Sequence, residues 1–235
     1  MSGRDGGAAF RITAGLEEGG DGAFLAHALS LPGCVAPGPT AEAAAGALEG
    51  EVLEWLRFLA AAGEPVPPAD AELEIAVDEW LRTDARAGAG ESTACFAHDL
   101  RPLDDADVDR ELRWLGGLRG ELLARVRRLP ADQADRPLPG GGTVRRALEE
   151  LARAQWWTLS RLGASPLGEL PDRTLGRLDT AMALTVDHFS HMPPERRGLL
   201  LEIDGEEWTP RKVLRRLLWT EWSLGRVVAL ALREG

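Results

Sequence analysis

The sequence has few of the features that would place a protein outside the cytoplasm. It contains only two cysteines, Cys34 and Cys95, whose separation fits neither a zinc-ligand spacing nor a disulfide framework. No apolar run approaches the roughly 20 residues that span a bilayer. The first ten residues, MSGRDGGAAF, lack the apolar segment of a signal peptide. We therefore expect a cytoplasmic protein with no membrane partner.

Basic residues are also scarce in the first part of the chain. Residues 1–100 contain 5 Arg and no Lys against 17 Asp and Glu, whereas basic and acidic residues nearly balance over residues 101–235. An acidic surface repels phosphates, and the basic groups of the second part alternate with acids, so we expect no nucleic-acid partner. Two interpretations of the acidity stay open: it serves solubility alone, or it docks a basic protein partner.

Familiar catalytic motifs are missing from the sequence. No Ser-His-Asp arrangement, glycine-rich phosphate loop or dinucleotide fingerprint can be identified. The pattern of residues predicts architecture rather than a reaction, and it leaves open whether the protein is an enzyme.

Residues 1–100 have the pattern of a small α+β domain. Strands are predicted at Ala8–Leu16 and Gly22–Leu29, joined by a turn of glycines and acidic residues. A third strand is predicted at Glu72–Trp80, where apolar and acidic residues alternate, and a further short strand at Thr93–His98. Between the second and third strands, Thr40 caps a predicted helix that ends before Gly63, and residues 31–40 are predicted as a loop. The order is ββαβ.

This first domain resembles the HicB-like domain. The similarity lies in DGAFLAHALSLPGCVAPGPTAEAA, where Leu31–Cys34, Gly38 and Thr40 match the family pattern, and in Gly63–Pro67 after the helix. The resemblance covers about residues 8–83. It implies a partial RNase H-like fold that acts as a binding or dimerising module, as in antitoxins, rather than a nuclease.

Residues 101–235 have the pattern of an all-α domain. Helices are predicted from Asp104 to before Pro130, from Thr143, over Asp172–Met192 and over Trp208–Arg233, and their lengths and mostly short connections favour a four-helix bundle. The last helix begins with Thr209 as N-cap and Pro210 at its first position. Its inward stripe is predicted at Val213, Leu217, Thr220, Leu224, Val227 and Ala231.

The second domain resembles the DinB/YfiT-like proteins, through TVRRALEELARAQWW and WTPRKVLRRLLWTEW. That family implies a four-helix bundle in which histidines hold a divalent metal. The corresponding positions in this chain are Glu150, Thr220 and Leu224. Threonine rarely binds a metal and leucine cannot, so the resemblance implies a degenerate metal site with no cofactor.

Three further hypotheses concern the bundle. Glu150 could form an ion pair with Arg216 and fill the space of the metal. Alternatively, Glu150 could bind Zn²⁺ or Ni²⁺ together with His188 and His191, which are spaced i and i+3 on the third helix. Arg216, Trp219 and Trp222 are candidates for lining a pocket or a dimer face.

We therefore interpret the chain as an α+β protein, with a HicB-like domain at residues 1–100 and a DinB-like bundle at residues 101–235. The favoured function is a non-catalytic binding or interaction protein, acting as a homodimer. One alternative is a metal-dependent, DinB-like hydrolase or thiol transferase with relocated ligands. The other is an antitoxin-like regulator that binds a basic partner protein.

Overall fold

The computed structural model describes residues 10–130, 134–135, 137–138, 141–164 and 169–233, without the side chains of residues 231 and 233. Residues 8–9 of the first predicted strand and the Ala231 side chain of the predicted stripe lie outside this description. The chain divides into two compact units, Met1–His98 and Asp99–Gly235, called here the N-terminal unit and the C-terminal unit. The first contains a sheet and a helix and the second is mainly helical, which confirms the α+β fold class.

The N-terminal unit is built on a four-stranded mixed sheet. Its strands are β1 (Phe10–Glu18), β2 (Phe24–Ala28), β3 (Val35–Gly38) and β4 (Leu73–Arg82), in the order β3-β2-β1-β4. The pairs β1–β2 and β2–β3 are antiparallel, whereas β4 runs parallel to β1. A parallel neighbour requires a crossover, and helix α1 (Ala41–Ala61) provides it.

Helix α1 begins and ends where the sequence predicts. The Thr40 hydroxyl accepts a hydrogen bond from the backbone N–H of Ala43 at 3.2 Å, and Gly63 follows the helix with a φ of +79°. The buried side of the helix repeats at steps of three and four up to Phe58, with Leu59 beside it: Ala44, Leu48, Val52, Trp55, Phe58 and Leu59.

Two predictions about strands in this unit are wrong. Val35–Gly38 was expected in a loop, but its backbone pairs with β2 and forms β3. Thr93–His98 was expected as a strand, but carboxylates take the place of a strand partner there. Glu17 accepts hydrogen bonds from the backbone N–H groups of Thr93 and Ala94, and Glu79 accepts one from Ala97.

A buried acid–histidine pair lies beside Thr93 and Ala94, whose backbone N–H groups bind to its carboxylate. Glu17 and His27 have fully buried side chains, and His27 Nε2 lies 3.2 Å from a carboxylate oxygen of Glu17. The Thr83 hydroxyl donates a further hydrogen bond to Glu17 at 2.9 Å. Phe96 covers Gly15 so closely that a Cβ at that position would lie 2.5 Å from the ring.

The C-terminal unit is a four-helix bundle. Its helices are α2 (Asp105–Val126), α3 (Val144–Ser160), α4 (Thr174–Ser190) and α5 (Pro210–Arg233). Helix α5 packs on both α2 and α3, and α4 packs on α3 and α2. The connection from α4 to α5 carries a small hairpin whose strands are β5 and β6, at residues 201–203 and 206–208. Within the residues described, no helix combines the length and apolar character needed to cross a membrane.

The inward side of α5 differs from the predicted stripe. Val213 and Leu217 are buried as expected, but one turn after Leu217 the buried side chain is Glu221, at 1% exposure, while Thr220 is half-buried. Apolar residues flank both sides of this part of the helix, so hydrophobic spacing alone did not distinguish position 220 from position 221. The difference brings a carboxylate into the bundle.

Candidate functional site in the helical bundle

The interior of the bundle contains a cluster of three polar side chains, called here the core cluster: Arg119 from α2, Gln155 from α3 and Glu221 from α5. Their residues are 4%, 1% and 1% exposed, respectively. Each lies on the buried side of its helix, for example Arg119 one turn after Leu115. Residues from three helices therefore meet at one buried point.

The core cluster is closely hydrogen-bonded. Arg119 donates from Nε to Glu221 Oε1 at 2.7 Å and from Nη2 to Glu221 Oε2 at 2.9 Å, in the two-pronged geometry typical of arginine and a carboxylate. Arg119 Nη2 also donates to Gln155 Oε1 at 2.7 Å, and Gln155 Nε2 donates to Glu221 Oε2 at 2.7 Å. The carbonyl of Leu178 in α4 accepts from Arg119 Nη1 at 2.6 Å. The cluster thus joins all four helices.

The chemistry of the core cluster does not fit a divalent metal. It offers one carboxylate and one amide, whereas a metal of this class usually takes three or four histidine, cysteine or carboxylate ligands. Both oxygens of Glu221 already accept from the guanidinium of Arg119, whose positive charge would repel a cation. What this arrangement can do is hold the four helices in register.

The three positions implied by the DinB resemblance do not form a set of metal ligands, although Glu150 and Leu224 line one cavity. Glu150 lies on an outer side of α3, where its carboxylate pairs with Arg146 at 2.9 Å. Thr220 donates its hydroxyl hydrogen bond to the carbonyl of Arg216 at 2.8 Å. Leu224 packs against the hydrophobic core of the bundle. The predicted pairing of Glu150 with Arg216 is wrong, because Arg216 pairs with Glu206 at 3.0 Å and Glu150 with Arg146.

The two histidines predicted as ligands, His188 in α4 and His191 just after its end, have different surroundings. His191 is exposed, and its Nδ1 lies 3.1 Å from the Asp187 carboxylate. His188 is half-buried, and its Nε2 has no hydrogen-bond partner among the described residues. Burial lowers its pKa, helped by the charge of Arg196. Within the described part of the chain, no three or more His, Cys, Asp or Glu residues are grouped so that they could hold a metal ion.

The three candidate pocket residues, Arg216, Trp219 and Trp222, have two different surroundings. The Arg216 guanidinium lies 5.3 Å from the ring centre of Trp157 and 5.1 Å from that of Trp208. Trp219 and Trp222 are half-buried on α5, and Arg226 lies 5.2 Å from the Trp222 ring. A groove of about 1000 Å³ along α3 and the start of α4 has none of the three predicted residues in its walls.

A second group of charges fixes the start of α5. Asp99 and Arg215 form a buried ion pair with a shortest distance of 2.7 Å, and Arg211 pairs with Asp107. Next to them lies Glu111, 1% exposed, with Arg110 at 3.4 Å and Arg211 at 3.9 Å. Burial outweighs these two arginines and raises the pKa of Glu111 to about 7.

The sequence reasoning missed the core cluster altogether. Arg119 and Glu221 are 102 residues apart in the chain, and no local motif joins them. A signal existed in the spacing, because each charged residue follows apolar neighbours by one helical turn: Arg119 after Leu115, and Glu221 after Leu217. A charge at such a position indicates a buried partner on another helix.

Comparisons with known proteins add little to this geometry. No protein-family model matches the chain, and no curated protein matches it. Among solved structures, the chain is similar to the crystal structure of TT2238, a four-helix bundle protein, with 23% sequence identity and a TM-score of 0.42. That similarity covers 55% of this chain and 99% of the other.

Proposed function

We propose that this chain is a non-catalytic binding protein, in which a HicB-like module is joined to a DinB-like bundle without the histidine ligands of that family. One observation carries the proposal: a hydrogen-bonded Arg119–Gln155–Glu221 cluster occupies the interior of the bundle. A guanidinium bound to both oxygens of the carboxylate takes the electrostatic place that a cation would take. The mixed sheet with its crossover helix supports the HicB-like part.

The test is the metal content of protein purified without an affinity tag. We expect no stoichiometric metal by elemental analysis, and no tight binding when Zn²⁺ or Ni²⁺ is titrated into a chelator-treated sample. One metal per chain that is lost in His188→Ala or Glu150→Ala would overturn the proposal. It would favour a metal-dependent hydrolase or thiol transferase with relocated ligands. Glu121→Ala, an exposed carboxylate on α2, serves as the matched control.

The homodimer remains part of this proposal. Trp222 is half-buried on α5, and large aromatic side chains of this kind are enriched at subunit interfaces. In sedimentation we expect a dimer for the natural sequence and a monomer for Trp222→Arg. A monomer for the natural sequence at micromolar concentration would remove the dimer from the proposal.

The negative charge of the N-terminal unit favours a second binding function. Over residues 10–98 the N-terminal unit carries 4 Arg against 15 Asp and Glu. We propose, as this second function, that the chain is an antitoxin-like regulator whose N-terminal unit binds a basic partner protein. We expect the immobilised full chain to retain basic peptides but not acidic peptides of equal length.

A further inference from the structure

The edge of the sheet formed by β4 is open to another strand. β4 is the last strand in the order β3-β2-β1-β4, and within the described residues it pairs on one side alone, with β1. It is ten residues long, and such an edge offers unpaired backbone donors and acceptors to any extended segment.

Apolar side chains lie along one face of this edge. Val77 pairs with Ala14 and Trp80 with Leu16 in the sheet register, and residues paired in this way share a face. Val77 is 42% exposed and Trp80 is 54% exposed, although the Trp80 ring packs edge-on against Phe24. A strand added to β4 would cover both.

Carboxylates lie along the opposite face and at the start of the strand. Glu72 and Glu74 are exposed, two residues apart and therefore on one face, and neither forms an ion pair within the described residues. Asp70 at the start and Asp84 just after the strand are exposed and similarly unpaired. By contrast, the nearby Arg82 is already engaged by Glu18 at 2.8 Å.

The negative charge of this edge indicates which kind of segment binds to it. Residues 70–84 contain six Asp and Glu against one Arg, so a second copy of β4 would bring two strongly acidic segments together. The extra residue Asp78, which shifts the register against β1, further disfavours pairing between identical edges. A basic segment meets the opposite charge and is favoured by it.

We propose that the β4 edge binds an extended segment of a partner protein in which basic and apolar residues alternate. Backbone hydrogen bonds to β4 supply the docking, the apolar side chains cover Val77 and Trp80, and the basic side chains reach Glu72 and Glu74. This mode of recognition is strand addition. It rests on the proposed binding function and names the partner chemistry of the N-terminal unit.

The experiment uses the full chain and a twelve-residue synthetic peptide of alternating arginine and valine, with binding followed by calorimetry. We expect Trp80→Ala to weaken binding about tenfold, because an exposed aromatic anchor is removed. Glu72→Gln combined with Glu74→Gln should weaken it about fivefold. The matched control is Glu42→Gln with Glu49→Gln, which makes the same charge change at exposed positions of α1 and should change the affinity less than about twofold.

Two further measurements test the mode of binding. The same peptide with alternate backbone amides methylated should lose binding, and the bound natural peptide should protect the amides of residues 73–82 from hydrogen exchange. Equal binding of the methylated peptide, or an unchanged affinity of Trp80→Ala, would contradict strand addition. A dimer of the natural sequence that Trp80→Arg dissociates would assign the edge to a second copy instead.

Failure of this inference is separable from failure of the proposed function. Metal content is measured on the same preparations. If the protein holds stoichiometric metal and still binds the peptide, the proposal of a metal-free bundle is overturned. The proposal that β4 binds an extended segment is then supported. A metal-free protein that ignores the peptide would overturn the β4 edge alone.

Discussion

At the scale of the residue, Arg119 shows why a buried charge is tolerated only with its partners. Its guanidinium bonds to Glu221, Gln155 and the carbonyl of Leu178 while only 4% of the residue is exposed. Removal of one partner from a buried ion pair leaves the other charge without compensation, and that costs more than the pair contributes.

We therefore expect Arg119→Met to lower the free energy of unfolding of the C-terminal unit by about 3–5 kcal/mol, because Glu221 stays buried without its cation. Urea unfolding followed by tryptophan fluorescence measures this loss. Arg128→Met, at an exposed arginine of the same unit, should change stability by less than about 0.5 kcal/mol. A triple variant with Arg119→Met, Gln155→Met and Glu221→Leu should recover most of the loss.

Glu17 makes the N-terminal unit sensitive to acid. Burial alone would raise the pKa of this carboxyl, but the hydrogen bonds from His27 and the backbone, together with the charge of His27, outweigh it and lower the pKa from 4.5 to about 2. A lowered pKa stabilises the folded state above pH 4.5, and the stabilisation is lost as the pH falls towards 2.

Between pH 6 and pH 3, Glu17 should thus contribute a loss of about 2 kcal/mol to the stability of the N-terminal unit. Glu17→Gln removes this contribution, so its stability should depend less on pH over the same range. Both cysteines lie in this unit. Cys34 is buried, whereas Cys95 is partly exposed. In a Cys95→Ser background, the rate at which a disulfide reagent active in acid labels Cys34 in partial urea therefore measures the opening of this unit. Equal pH dependence in both proteins would contradict the assignment.

At the scale of the element, the beginning of α5 depends on Thr209. Its hydroxyl accepts from the backbone N–H of Lys212 at 3.1 Å and donates to the carbonyl of Asp99 at 2.7 Å, and the residue is 2% exposed. By comparison, the Thr143 hydroxyl, which caps α3, accepts from the N–H of Arg146 alone among the described residues.

Thr209→Val should therefore destabilise the C-terminal unit by about 2–3 kcal/mol, since it removes a cap and leaves a buried carbonyl without that donor. Thr143→Ala should cost only about 1 kcal/mol. Urea unfolding of the two variants side by side gives the comparison. A loss at position 209 no larger than that at position 143 would show that the link to Asp99 adds nothing.

The elements also show what the sequence can predict. Helices α1, α3 and α5 were predicted at their starts because their caps are local, a threonine followed by an amphipathic run. Strand β3 was missed because four residues with Pro37 and Gly38 have no strand pattern of their own, and pairing with β2 decides their conformation. The core cluster was missed for the same physical reason, since its partners are distant in sequence.

At the scale of the whole molecule, the two units carry separate probes. Six of the eight tryptophans lie in the C-terminal unit, whereas both cysteines lie in the N-terminal unit. Fluorescence therefore reports mostly on the bundle, and thiol labelling reports on the sheet. Stability can be followed for each unit in the intact chain.

These probes should reveal opposite responses to pH. The pKa of Glu111 in the bundle is raised from 4.5 to about 7, so the folded state holds its proton more tightly than the unfolded state. Its contribution to stability falls as the pH rises from 4.5 to 7, by about 3 kcal/mol in total. That direction is opposite to the effect of Glu17 on the sheet.

Glu111→Gln should remove this effect, so the stability of the variant relative to the natural sequence should increase by about 3 kcal/mol between pH 4.5 and pH 8. Fluorescence-detected urea unfolding at a series of pH values gives the difference. Glu121→Gln, at an exposed position of the same helix, controls for the change of net charge. A constant difference across the series would contradict a raised pKa for Glu111.

Lys212, the single lysine of the sequence, is fully buried, with its ammonium 2.8 Å from Glu206 and 4.7 Å from the ring centre of Trp208. While the bundle is folded, its ε-amine is closed to acylating reagents, amine cross-linkers and lysine-modifying enzymes. Acylation of that amine would therefore mark chains in which the start of α5 has opened.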